Sequence, residues 1–536
     1  MLVFAGLLYR AADLQISKGG FLIKQGEARF ARYRESGASR ARIYDRSGLL
    51  LSASVQRALV WVNPKEFILS GDPRINDVAA LLNLPTAEIQ EKAKSRLDRE
   101  FVPLKHHVDI ALAQHIRELH VPGVYFIYEP LRVYPAPFDT FSVLGVVNSQ
   151  GEGISGIELM LNKSLIRKSH RRYLTIDRRG AIADVRSEVE SDDSTTVRDA
   201  TLTLDARLQV LSGAVVSELA NRTHAGSVDL VLVDSATGEL LAAVQQAAEG
   251  EPRPGVGVTP IVSRTFEPGF TLAPFIIAAG LEHKAFDVAD RMPTAVPALI
   301  SVLEQPETRT AVLVSDILAR RSKSAITTAG MNLRQNDLWS TLDGIGIGHS
   351  TSLGIPGERE GGPSFPLPWR ATDQALIASG RRVQMTLPQL ARAYSVLAAG
   401  GLIYPLTVLL EKNASADGRD ERIFETHTTK QVLAMLRATS ESAGKKSEVA
   451  SAYPATCDSY EIIVVRLGVT QKRRQAVAAA ISLGNGRIVG AIRLEVPYVS
   501  GEDTGLVARA ALVKLLQTAD KLFQEQMTLS DSQISK

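Results

Sequence analysis

The chain has 536 residues, enough for several domains at roughly 100–200 residues each, and its 45% hydrophobic, 22% charged and 6% aromatic content excludes a disordered, collagen-like or polytopic membrane protein. The 61 Lys and Arg against 58 Asp and Glu leave a formal charge of +3, with no basic stripe carrying interleaved aromatics, so nucleic acid is not an expected partner. A single cysteine, Cys457, excludes an internal disulfide and any cysteine-based zinc cluster.

Met1 to Leu8 is apolar but is stopped by Tyr9-Arg10, short of the roughly 20 residues a membrane helix needs, and reads as the remnant of a membrane anchor over residues 1–20. Phe21 to Arg42 is basic and amphipathic, and the turn signal Asp45-Arg46-Ser47-Gly48 precedes a strand-like run that ends at Val62. Helical periodicity follows in Asp77 to Leu82, Thr86 to Leu97 and Asp109 to Leu119. Residues 180–199 are polar and rich in Asp, Ser and Thr, the composition of an exposed connection, and a boundary is expected near Asp199. Beyond it, Ala200 to Gln209 alternates as a strand and then enters a helix. Ser227 to Val244 reads as a hairpin around Asp234-Ser235-Ala236-Thr237-Gly238. Helical runs at 270–284, 311–330 and 386–399, strands at Ile462–Val465, Ala476–Leu483 and Arg487–Leu494, and an amphipathic helix over Gly505–Glu525 complete an α/β pattern.

Several of these segments carry motifs. Arg40-Ala41-Arg42-Ile43-Tyr44-Asp45-Arg46-Ser47-Gly48, then Arg132-Val133-Tyr134-Pro135, Leu144-Gly145 and Gly153-Ile154-Ser155-Gly156-Ile157-Glu158 occur in the first half. Leu202-Thr203-Leu204-Asp205, Asp234 to Ala242, Arg264-Thr265-Phe266-Glu267-Pro268-Gly269, Gly346 to Glu358 and Thr386-Leu387-Pro388-Gln389-Leu390-Ala391 follow in the second. In this order they resemble the class B penicillin-binding proteins, in particular the septal peptidoglycan transpeptidases of the FtsI type. The resemblance implies an α+β, multidomain fold in four parts. These are the anchor remnant (1–20), an elongated β-rich, non-catalytic pedestal of the dimerisation type (21–199), a transpeptidase-like penicillin-binding α/β domain with a helical subdomain (200–526) and a tail (527–536).

The family's chemistry is acyl transfer by a Ser-x-x-Lys pair, in which a serine at the start of a helix attacks and a lysine one turn on takes its proton. After Glu267-Pro268-Gly269 this chain has Phe270-Thr271-Leu272-Ala273. A phenyl ring forms no acyl ester, and an Ala methyl moves no proton. Thr271 lies about 100° around a helix from the nucleophile position and points elsewhere. The family's Ser-x-Asn element aligns with Arg321-Ser322-Lys323, or after a one-residue shift with Ser322-Lys323-Ser324, which keeps the first hydroxyl but lacks the Asn. Its Lys-Thr-Gly element aligns with Arg466-Leu467-Gly468, which keeps a charge and a glycine but loses the hydroxyl. The only literal Ser-x-x-Lys, Ser442-Ala443-Gly444-Lys445, stands in a Gly/Ser/Lys-rich stretch out of family order.

Other chemistries find less support. His106, His107, His115 and His120 have no carboxylate at ligand spacing in the sequence and read as surface histidines, so no metal is expected. Gly344-Ile345-Gly346-Ile347-Gly348 lacks the Lys-Ser/Thr of a phosphate loop, and no cofactor is expected. With Phe270, Ala273, Arg321, Lys323, Arg466, Leu467 and Gly468 at the family's functional positions, no catalytic residue is expected to work. The expectation is an FtsI-like homologue serving peptidoglycan synthesis and cell division as an inactive interaction or regulatory component. It would be anchored once in the bacterial inner membrane, with its main part in the periplasm. The resemblance implies divisome partners, including a polytopic peptidoglycan glycosyltransferase, and contact with peptidoglycan peptide. The alternatives are an active D,D-transpeptidase with unusual residues, or a decaying gene copy. The regular periodicity of Leu204 to Leu219 and Arg487 to Leu515 argues against decay.

Overall fold

The computed structural model describes residues 31–35, 40–135, 142–166, 171–176, 182–188, 197–247, 259–295, 307–364, 368–410, 421–441, 452–466, 469–484, 487–498 and 503–534. The apolar Met1 to Leu8 and Ser442 to Lys445 lie outside these residues. Among the described residues no helix is long and apolar enough to cross a membrane.

In the first half the strand Leu50–Val62 pairs antiparallel with Val102–Val108 on one side and Val124–Val133 on the other. Its alternate residues Ala58, Val60 and Val62 bury against the helices Ile75–Leu82, Thr86–Lys94 and Ile110–Glu118 through Val78, Leu82, Ile89 and Ile116. Residues 180–199 are not wholly a connection: Ile182–Glu188 is a strand in a three-stranded sheet with Ala31–Glu35 and Arg171–Ile176.

The first-half motifs are structural. Glu158 is fully buried and receives Arg40 Nε at 2.6 Å, Arg132 Nε at 2.8 Å and Ser52 Oγ at 3.2 Å. Arg40 also donates to the carbonyl of Gly151 and to Asn162 Oδ1, and Arg132 to the carbonyl of Ala41. Burial pulls the Arg40 guanidinium below its ordinary pKa, and the Glu158 carboxylate opposes that pull. Gly145, at φ +78°, packs so closely that a Cβ would lie 2.0 Å from the Ser155 carbonyl oxygen. Asp45 ties the two halves together. One carboxylate oxygen accepts the Ser47 and Leu49 N–H groups, and the other accepts Ala206 N–H at 3.1 Å. Beside it Ile43–Tyr44 pairs parallel with Ala200–Thr201.

The second half is built on a five-stranded antiparallel sheet in the order Leu240–Ala247, Ser227–Asp234, Ile488–Pro497, Val469–Ile481, Ala455–Arg466. Both faces are covered, which is why stretches such as Val228 to Val233 and Ala476 to Ile481 are almost continuously apolar. Val228, Leu230, Ala478 and Ile492 face Leu208, Val216, Leu512 and Leu516 of the helices Ala206–Thr223 and Thr504–Ile534. Val231, Val477, Ala479 and Ala491 join the core that contains Phe275, Ile276 and Tyr394 of the helices Ala273–Glu282 and Leu387–Ala398. The run 311–330 is not one helix. It divides into a strand Ala311–Leu313 and helices Ile317–Arg320 and Lys323–Met331, broken at Arg321 with φ +51°. Ser322 causes the break, because its hydroxyl caps the second helix by accepting Ala325 N–H.

Candidate active site

The first element is a 3-10 turn over Gly269–Leu272 that leads into the helix Ala273–Glu282. Gly269 has φ +55° and leaves no room for a Cβ, which would stand 2.2 Å from Asp458 Oδ2. Phe270 and Ala273 are 2% and 1% exposed and belong to the core. Thr271 is fully buried: its hydroxyl donates to the Pro268 carbonyl at 2.7 Å, and its carbonyl accepts Tyr394 O–H at 2.7 Å. Tyr394 also bonds Thr456 Oγ1, and burial pushes its phenol well above the ordinary value. Glu267 holds the entrance to the turn by accepting Arg382 N–H at 3.0 Å.

The second element lies at the break between two helices, where Ser322 is the N-cap and Ser324 stands two residues on. The Ser322 hydroxyl is buried and donates to the Glu307 carboxylate at 2.7 Å, so it serves a structural bond. Lys323 Nζ reaches Asp458 Oδ1 at 2.6 Å. Arg321 bonds Asp503 Oδ2 at 3.1 Å and the Cys457 carbonyl at 3.4 Å.

The third element is also corrected. The part of the edge strand that faces Phe270 is Thr456-Cys457-Asp458, where Asp458 Oδ2 accepts Phe270 N–H at 2.9 Å. Arg466 is eight residues further along the same strand, roughly 26 Å at about 3.3 Å per residue, and its backbone pairs with Val469. It does not meet the turn at Phe270. Leu467 and Gly468 lie outside the described residues. The error was one of register: Ala455–Arg466 pairs residue for residue with Val469–Ile481, so the strand begins well before the Ile462 at which its apolar character becomes obvious. The sequence reading missed Thr456, Asp458 and Glu307. The length of the partner strand was the available signal for the first two, and none existed for Glu307.

Other candidate groups lie elsewhere. Glu129 approaches His106 and His107, each at 3.3 Å, a contact that spacing along the chain does not announce. These histidines are exposed, and no group of three or more potential ligands fit to hold a metal occurs among the described residues. Gly346 and Gly348, both at positive φ, form a turn whose Gly346 and His349 carbonyls accept Gln389 Nε2. Burial raises the Cys457 thiol above its ordinary value, away from reactivity.

A sheet flanked by these helices, with a turn after Glu-Pro-Gly facing the edge strand, invites comparison with known proteins. Residues 229–456 match the penicillin binding protein transpeptidase domain, and residues 35–198 match the penicillin-binding protein dimerisation domain. The chain belongs to the FtsI-like class B penicillin-binding proteins. It is 27% identical over 450 residues to the peptidoglycan D,D-transpeptidase FtsI of Escherichia coli K12, covering 82% of this chain and 75% of that protein. It is 26% identical over 532 residues to the probable peptidoglycan D,D-transpeptidase PenA of Neisseria meningitidis, covering 96% and 90%. Penicillin binding protein 2X of Streptococcus thermophilus shares the fold with a TM-score of 0.69 at 15% identity, covering 91% of this chain and 80% of that one. A peptidoglycan synthetase from Bifidobacterium adolescentis does so with a TM-score of 0.65 at 21% identity, covering 93% and 97%. The transpeptidase match ends at Thr456, so this class B penicillin-binding protein carries Asp458 just beyond the matched stretch.

Proposed function

We propose that this class B penicillin-binding protein serves cell-wall synthesis at division without catalysing transpeptidation. It would act as an interaction or regulatory component beside an active relative. The role in peptidoglycan synthesis rests on the relatives named peptidoglycan D,D-transpeptidases. The lack of catalysis rests on one observation: the nucleophile and base positions hold Phe270 and Ala273, both buried in the apolar core. Around them Thr271 and Ser322 are committed to structural bonds, and Lys323 is engaged by Asp458. Loss of catalytic groups that act as a unit lowers turnover by a factor on the order of 10⁴–10⁶.

The proposal extends to place and partner. The chain would be held in the inner membrane with its folded part in the periplasm, and its pedestal would contact a polytopic peptidoglycan glycosyltransferase. Release of D-alanine from an acyl-D-Ala-D-Ala peptide tests the catalytic part, and the proposal expects the uncatalysed rate. Release at a rate comparable to an active relative's would overturn it. Co-expression of the full chain with the glycosyltransferase of the same organism tests the partner, which is expected to co-purify from detergent extracts.

A further inference from the structure

Asp458 is an unusual occupant of the site. It is 2% exposed and sits on the edge strand of the sheet, facing the turn that carries Phe270. Its two oxygens meet three donors from three directions. Oδ1 takes Lys323 Nζ at 2.6 Å and Ser459 N–H at 2.8 Å, and Oδ2 takes Phe270 N–H at 2.9 Å. Its side chain also packs on Gly269, where a Cβ would collide with it. Lys323 and Phe270 lie far from Asp458 in sequence, so the fold brings a cation and a backbone donor together around a single carboxylate. A buried carboxylate is tolerated only when its lone pairs are satisfied, and these donors satisfy them.

We propose that Lys323 Nζ, Phe270 N–H and Ser459 N–H form a carboxylate-binding cradle whose resident ligand is the chain's own Asp458. The site is therefore filled as well as stripped of reacting groups. A tethered carboxylate competes at an effective concentration of millimolar order or higher, so a free carboxylate of weak affinity cannot enter while Asp458 is present. Removal of the Asp458 side chain opens the cradle to a small external carboxylate.

The test is chemical rescue with acetate on the full chain, at constant ionic strength against chloride. Asp458→Gly is expected to melt below the wild type and to regain about 2–4 °C with acetate in a saturable manner. The wild type and Asp458→Asn, whose cradles stay filled, are expected to show no acetate-specific rise. Asp458→Gly/Lys323→Ala is expected to lose the rescue. If Asp458→Gly does not fold in chloride, its refolding yield in acetate against chloride becomes the readout. An equal acetate response in the wild type, or none in Asp458→Gly by either readout, would overturn the proposal. The outcome is independent of whether the chain acylates penicillin.

Discussion

The pedestal keeps what the family resemblance implies, and the active-site region departs from it. In the pedestal the motif residues are present and engaged: Arg40, Arg132 and Glu158 form a buried network, and Asp45 joins the pedestal to the first helix of the second domain. At the site the reacting groups are absent, yet the surroundings are well packed and bonded, with Phe270 and Ala273 in the core and Asp458 in a cradle of donors. The chain keeps its motif residues where they are structural and places other packed side chains where the family's motif is chemical.

The largest effect is expected in the pedestal. Glu158→Ala leaves two buried guanidinium groups without their shared carboxylate and should cost about 3–5 kcal/mol in denaturant unfolding. A cost within about 0.5 kcal/mol, the range of an ordinary surface change, would mean that the network is not a fastener. The second test is at the site. Phe270→Ser/Ala273→Lys restores the two reacting groups but leaves Asp458 on Phe270's N–H. This variant is expected to remain unacylated by penicillin in intact-protein mass spectrometry, and a stoichiometric adduct would show that Asp458 does not close the site. Next in size, Gly145→Ala forces a Cβ into the Ser155 carbonyl at a positive φ and should cost about 2–3 kcal/mol by the same denaturation measurement. A neutral result would mean that the loop yields easily.

The smallest effect lies at Tyr453, whose hydroxyl donates to Asp520 Oδ2 at 2.8 Å. Burial, and then the bond to Asp520, push its pKa up to about 12 from an ordinary 10.0. The folded state holds this proton more tightly than the unfolded chain, so the contribution is complete below pH 10 and is lost as the pH rises through 12. Tyr453→Phe should flatten the decline in stability over that window. An unchanged slope would place the titration elsewhere.

Much of this was legible in the sequence wherever the physics is local. The motif residues Arg40, Asp45, Arg132 and Glu158 marked the pedestal, and the apolar run after Glu267-Pro268-Gly269 marked a turn without a nucleophile. The helices near 77, 86 and 109 followed from their periodicity. The failures share a cause. Placing Arg466-Leu467-Gly468 in the site required the register of a strand pair, and a β-strand's register is set by its partner. The Asp458 bond to Phe270 spans 188 residues, and no spacing along the chain announces it. Ser322 broke an expected helix because capping outweighs helical propensity at that point.

The most direct test of the central claim is gel-detected acylation of the full chain by a fluorescent penicillin, with an active class B relative as the positive control. The account predicts no band for this protein under conditions that label the relative completely. A stoichiometric band that survives denaturation would contradict it, because the family's nucleophile and base positions hold Phe270 and Ala273.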